Sequence, residues 1–315
     1  MGFKKREFLL LFLETIGKPL KQSILLKDHS SFRIGGMADY FFEASSTLEL
    51  VNAVCLAREY SLSYYVIGGG YNILFDDDGF RGLIIKNEAR GFRREKKKEE
   101  IEVLSGTPLK DLVRFCMKEG LSGFEFLAGI PGTVGGAVFS NAGALGENIG
   151  NFLKEALLLN DKGEEARVKR EYFAFNYRHS FLKQKHDLLL KAVFVLQEGE
   201  REKIKERIEE NLEKRKIKHP PEDTACAGSY FKNPVFPDGE KVTAAYLLEQ
   251  VGAKALRVGE ATVFPSHSNF IINQEKAFSR DILSLASELK RRVREKYGIE
   301  LEEEVIFLPA NSSMP

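Results

Sequence analysis

Helical and strand-like spacings of apolar residues follow one another along this chain without a regular βαβ rhythm. Ser46-Thr-Leu-Glu49 has the capping-box pattern, and Leu50, Val51, Val54 and Leu56 behind it share one face of a predicted helix. Thr107-Pro108 predicts another, with Thr107 at the N-cap, Pro108 at the first helical position and Gly120 as the stop. Across residues 199–217, Ile204, Ile208 and Leu212 recur at helical spacing in a highly charged setting, so one face packs and the other is wet. A short helix is expected near Val242–Val251. Residues 279–297 predict a long one, with Ile282, Leu285, Ala286, Leu289 and Val293 inward and Gly298 closing it.

Between these lie predicted strands. A glycine turn in residues 29–43 feeds the first, and the apolar run Ser63–Phe75 breaks at Gly68-Gly69-Gly70. Others fall at Leu83–Asn87, Ile101–Leu104, Ala156–Asn160 (followed by a hairpin turn at Asp161-Lys-Gly163), Asp187–Leu196, a strand pair ending His267–Asn273, and Leu301–Leu308. The mixed-sign segment Glu88–Glu100 reads as a solvated hairpin or loop. Mixed order without βαβ repetition predicts an α+β protein. The composition shift at about residues 198–205 marks the main domain boundary.

With 315 residues there is room for two or three domains, and a net charge of +1 gives no global argument for nucleic acid or an anionic membrane surface. Phe8–Leu13 is too short to span a bilayer and reads as a packed N-terminal helix in preference to a signal segment. Three widely spaced cysteines with no Cys-x-x-Cys pair fit a reducing compartment, with Cys55 and Cys116 in the core. The five histidines have no metal-ligand spacing, so no metal is expected. The simplest location is the cytoplasm.

Residues 124–146 hold six glycines and Pro131. Such density destabilises unless the backbone needs it, either for an irregular turn or to present bare N–H groups to an anion. Gly68-Gly69-Gly70, at the end of a predicted strand, is a second place of this kind. It lacks G-x-G-x-x-G spacing and a following helix pattern, which argues against a Rossmann unit.

Several motifs then occur in order: Phe32-Arg-Ile-Gly-Gly-Met-Ala38, Ile67–Leu74, Gly129–Ala137 with Asn141-Ala-Gly143, Tyr177-Arg-His-Ser180, Gly228-Ser-Tyr-Phe-Lys-Asn-Pro234, His267–Asn273 and Glu304-Val305. Over residues 25–308 this series resembles the UDP-N-acetylenolpyruvoylglucosamine reductase (MurB) family of peptidoglycan synthesis. The resemblance implies an FAD-binding region of the vanillyl-alcohol-oxidase (PCMH) type in two subdomains, residues 1–95 and 96–200, followed by a substrate-binding domain at 205–315. It further implies a monomeric enzyme in which NADPH reduces FAD and the reduced flavin passes hydride to the enolpyruvyl ether of a UDP-sugar.

By the same resemblance, Gly68, Gly69, Gly70, Tyr71 and Asn72 would contact the cofactor, as would Gly132, Thr133, Gly135, Gly136 and Ala137. Arg178, Ser229 and Glu304 fall at catalytic positions, and Lys218, Asn233 and His267 at substrate-binding ones. The chemistry is consistent with these roles. Negative charge developing beside a carboxylate needs a fixed cation, which Arg178 can supply bidentately, and a proton donor, the place of Ser229. Glu304 is suited to hydrogen-bond the enolate or orient water, and Lys232 to ease proton loss from Ser229. Taken singly, each has an ordinary structural reading: an ion pair, a turn, a solvated strand end.

Three features depart from the family pattern. Tyr71 stands in place of a small serine, Leu145 in place of an aromatic, and the short Ser180–Asp187 connection leaves no room for an extra lid. Two rival readings remain at this level: a flavin oxidase acting on an alcohol, and a non-catalytic nucleotide-binding module.

Overall fold

Residues 4–94, 99–235 and 242–311 are described in the computed structural model. The first unit sets two helices, α1 (Lys5–Ile16) and α2 (Thr47–Glu59), against a sheet built from β1 (Lys21–Leu25), β2 (Met37–Ala44), β3 (Tyr64–Ile67) and β5 (Phe80–Asn87); β4 (Ile73–Phe75) lies outside it. The order is β1-β2-β5-β3, with only the β1–β2 pair antiparallel. Tyr40 and Phe42 of β2 join Phe8, Phe12, Leu50 and Val54 on one face; Phe41 joins Leu26, Phe75 and Phe80 on the other. A sheet covered on both faces needs no polar alternation, hence the continuous apolar runs of β2 and β5. Ser46 Oγ accepts from Glu49 N at 3.2 Å, while the Glu49 carboxylate reaches Ser45 N, one residue outside the expected reciprocal box. Cys55 is half-buried, not fully in the core as expected.

In the second unit, β6 (Phe92–Arg94), β7 (Glu100–Leu104), β8 (Leu153–Leu159), β9 (Glu165–Lys169) and β10 (Leu188–Val195) form an antiparallel sheet ordered β9-β8-β10-β7-β6. Of the mixed-charge segment, Phe92–Arg94 pair antiparallel with β7; residues 95–98 lie outside the described set. Helices α3 (Leu109–Glu119) and α4 (Val134–Ser140) pack on this sheet. The cap of α3 is one residue later than expected. Pro108 is the N-cap, because the Thr107 hydroxyl is already engaged with the Gly91 N–H and carbonyl. Gly120 ends the helix in the left-handed region, as expected.

Helix α5 (Arg201–Lys218) packs against the second unit, with Ile204 buried and Asn211 Nδ2 donating to Glu125 O at 2.9 Å. Leu212, expected inward, is 42% exposed; Asn211 and Arg215 carry the inward face there instead.

The third unit combines α6 (Ala244–Gln250), the antiparallel strands β11 (Arg257–Val258), β12 (Ala261–Val263) and β13 (Ile271–Asn273), and α7 (Ser279–Tyr297). All five predicted inward residues of α7 are buried, and Gly298 closes it at φ +68. Its core also takes in Phe32, Ile34 and Leu74 from the first unit. The Asp77 carboxylate accepts from Ser279 N at 2.9 Å, so a first-unit loop supplies the cap of α7.

The final strand, β14 (Ile306–Leu308), runs parallel to β4 in the register Ile306–Ile73. The strand expected from Leu301 onward is therefore shorter. Residues 302–304 instead lie along Tyr230–Lys232 through one antiparallel bridge, Phe231–Glu303. Among the described residues, no helix is long and apolar enough to cross a membrane, and no three metal-ligating side chains gather.

Candidate functional site

Where β3 ends, the chain turns through Gly68–Asn72 and re-enters as β4. Gly70 has φ +70, and a Cβ there would lie 2.0 Å from His29 O, so no larger residue fits without displacing the backbone. Gly68 is pressed against Thr133, whose Oγ1 would be 2.4 Å from an added Cβ. The two glycine-rich stretches therefore meet directly.

Their backbones differ in what they can offer. Among the described residues, no acceptor engages the N–H groups of Gly69, Gly70, Tyr71 or Asn72. The buried Ser31 hydroxyl, next to the Ser31 N–H that bonds Gly70 O, also has no partner. These consecutive free donors fit an anionic group such as a pyrophosphate. In the second stretch, Val134 N bonds Thr107 O, Gly135 N bonds Ser105 O, Gly136 N bonds Thr133 Oγ1 and Ala137 N bonds Thr133 O. The donors expected from Gly135, Gly136 and Ala137 are thus taken by the protein itself. Gly132, at φ +130 with open space beside it, and the exposed Gly136 leave bare main chain in this wall. The Tyr71 ring folds back over Gly69, and Leu145 sits 63% exposed on a turn at φ +56.

Arg178 is positioned by the far end of the same stretch. Asn176 and His179 exchange backbone bonds at 3.1 Å, making Tyr177-Arg178 a two-residue turn with Arg178 at φ +51. Asn141, at the end of α4, donates to Asn176 O, and the buried Ser180 hydroxyl donates to Phe139 O at 2.7 Å. Arg178 Nη1 bonds Gly143 O at 2.9 Å. Its Nε lies 2.7 Å from Glu304 Oε1 without directing its N–H there, so the contact is an ion pair and not a formed hydrogen bond.

Glu304 arrives with the chain leading to β14. Asn72 Nδ2 donates to Glu304 O at 3.0 Å and Glu304 N to Tyr230 O at 2.8 Å. The first glycine loop, Glu304 and the segment carrying Ser229 are thereby fastened to one another. Lys232 is ion-paired to Glu302 at 2.7 Å. Arg178 and Glu304, from distant parts of the chain, are thus brought together, and Ser229 precedes the residue whose carbonyl holds the Glu304 N–H.

Two further cations sit here that the sequence reading did not single out. Lys183 donates to Arg178 O at 2.9 Å, and its pKa is lowered by burial first and then by Lys232. Arg215 on α5 lies beside Gly129, its pKa lowered by burial and then by Arg178. Neither has a carboxylate partner among the described residues. Sequence offers no signal for that, since the residue type is common and its significance lies in the missing counter-charge.

Lys218 ends α5, exposed. The rings of His219, His267 and Phe270 cluster beside it, 4.8–6.0 Å apart. Burial, followed by Arg215, pushes His219 down to about 4, and burial also lowers His267. Asn233 donates its N–H to the Tyr177 hydroxyl at 3.2 Å and accepts from Ala244 N at the start of α6. Of the expected substrate-binding residues, Asn233 is tied to the Arg178 turn through the Tyr177 hydroxyl, while Lys218 and His267 mark a rim at the end of α5.

Residues 38–169 match the family model of an FAD binding domain, which sets the class: a flavin-dependent oxidoreductase. Residues 219–308 match the UDP-N-acetylenolpyruvoylglucosamine reductase C-terminal domain. The chain is 37% identical over 287 residues to the reductase of that name from Clostridium novyi, covering 91% of each. To the Bacillus subtilis reductase it is 36% identical over 297 residues, 94% of this chain and 96% of the relative. The crystal structure of the Thermus caldophilus reductase superposes with a TM-score of 0.76 at 32% identity, covering 92% of this chain and 99% of that one. This chain belongs to the UDP-N-acetylenolpyruvoylglucosamine reductase family.

Proposed function

We propose that the protein carries out the NADPH-dependent reduction of the enolpyruvyl ether of UDP-N-acetylglucosamine to UDP-N-acetylmuramate, as a cytoplasmic monomer. One observation carries this reading furthest. Asn72 of the free-donor loop is bonded to Glu304, and Glu304 is ion-paired to Arg178, so a flavin anchor and a carboxylate-binding cation share one site.

In the balanced reaction a hydride equivalent and a proton add across the vinyl double bond, and NADPH becomes NADP+. Gly68–Asn72 would hold FAD, with Gly132, Thr133, Gly135, Gly136 and Ala137 as the opposite wall, and the bound flavin would supply the hydride transfer chemistry. Arg178 binds the substrate carboxylate and holds the negative charge that develops beside it; in a site of low water content such a preorganised cation acts strongly. Ser229 gives its proton to the adjacent carbon, with Lys232 favouring the hydroxyl's loss of that proton. Glu304 orients Arg178 through their ion pair. Lys218, His267 and Asn233 take the diphosphate and sugar. His219 stays neutral near pH 7, so Lys218 and Arg215 supply the positive charge on that rim.

The test is a single turnover. Protein reduced anaerobically with one equivalent of NADPH should be reoxidised by the enolpyruvyl UDP-sugar, with one equivalent of product two mass units heavier. Reduction of the bound flavin by an alcohol, with reoxidation by dioxygen and none by the UDP-sugar, would favour the oxidase reading.

A further inference from the structure

We propose that Lys183 is a positioning residue for Arg178, and that its unpaired ammonium adds to the field that binds the substrate's carboxylate. The inference rests on the function proposed above. Arg178 is a non-glycine residue in the left-handed region at φ +51, a strained conformation that persists only where its surroundings hold it. The backbone bonds between Asn176 and His179 close the turn but do not engage the Arg178 carbonyl. Lys183 does, donating from Nζ at 2.9 Å across the following helical turn, Phe181–Lys183.

The ammonium is set firmly. It lies 5.6 Å from the centre of the Phe139 ring, on the helix whose glycine stretch faces the cofactor loop. That ring contact and the Arg178 carbonyl are its partners; no carboxylate lies within ion-pair distance of it among the described residues. Arg178, Lys232 and Glu304 all act on it electrostatically, so it belongs to the same local charge set. Glu304 faces Arg178, while Lys232 is matched by Glu302. Among the described residues Lys183, like Arg215, is then a half-buried cation without a counter-charge, and it is the one that holds the Arg178 carbonyl. An uncompensated charge in that position is costly unless a ligand anion completes it.

The test compares Lys183→Met and Lys183→Arg in the flavin-loaded enzyme, with wild type run beside them on the same UDP-sugar. Failure of wild type to turn over would sink the proposed function; the variants bear only on Lys183. Lys183→Met should raise KM for the UDP-sugar at least tenfold, leave flavin reduction by NADPH within twofold of wild type, and be largely rescued by Lys183→Arg. If Lys183→Met does not retain flavin, Lys183→Gln, which keeps a donor but no charge, replaces it with the same expectation. An unchanged KM, an equal loss in both half-reactions, or no rescue by arginine would overturn the assignment.

Discussion

Ser229 has no hydrogen-bond partner among the described residues, yet the backbone of the next residue is bonded to Glu304, so its hydroxyl is placed but uncommitted. Replacing a proton donor slows its step by about 10²–10⁴-fold. In stopped-flow, Ser229→Ala should reduce normally with NADPH and reoxidise with the UDP-sugar slower by that factor; equal slowing of both half-reactions would make the residue structural. Gly70 tests the opposite wall. Gly70→Ala places a Cβ 2.0 Å from His29 O and forces φ +70 on an L-residue, at a cost of more than about 1–2 kcal/mol. The melting temperature should fall and flavin be lost on gel filtration; an unchanged melt would contradict the geometry. Glycines of this kind are legible in sequence because only backbone needs explain them. Lys183 and Arg215 are not, because their importance is a matter of which partners they lack.

Two helix ends lie against a neighbouring unit. Asp77 caps α7 from the first unit, bonding both the backbone N–H and the hydroxyl of Ser279. Its loss should cost about 0.5–2 kcal/mol, seen as a lower melting temperature for Asp77→Ala; no change would mean solvent replaces the cap without loss. At the end of α5, His219 is held neutral, its pKa pushed down to about 4 from 6.5. Between those values the unfolded chain binds a proton that the native state does not, so this contribution is full above pH 6.5 and declines as pH falls toward 4. His219→Gln should therefore show a flatter melting temperature than wild type across that range, and an identical pH slope would remove His219 from the account. Most helices were legible from periodicity, and α7 in full, but α4 was not, because its glycines read as an irregular turn. The start of α3 was misplaced because the Thr107 hydroxyl is recruited by Gly91, a contact from outside the local pattern. Leu212 was assigned inward by spacing alone, but the packing partners of α5 favour Asn211 and Arg215.

At the scale of the molecule, the three units are not consecutive beads. The C-terminal strand pairs with β4, and the third core includes Phe32, Ile34 and Leu74. Local spacing cannot show this, which is why residues 301–308 read as one strand when only its last part is. The ordered motifs singled out Asn72, Arg178 and Glu304, which a hydrogen bond and an ion pair join, and the return of the chain beside β4 gives the physical reason. Glu304 reaches Asn72 only because the final strand comes back to the loop it adjoins. On the proposed function, a hydride acceptor carrying a carboxylate and a UDP group completes this site. The most direct measurement is NADPH oxidation by the purified, flavin-loaded protein with and without the enolpyruvyl UDP-sugar. Rapid oxidation that requires the sugar and matches UDP-N-acetylmuramate formed one for one is the predicted result. Oxidation at the same rate without the sugar, or with no product formed, would contradict it.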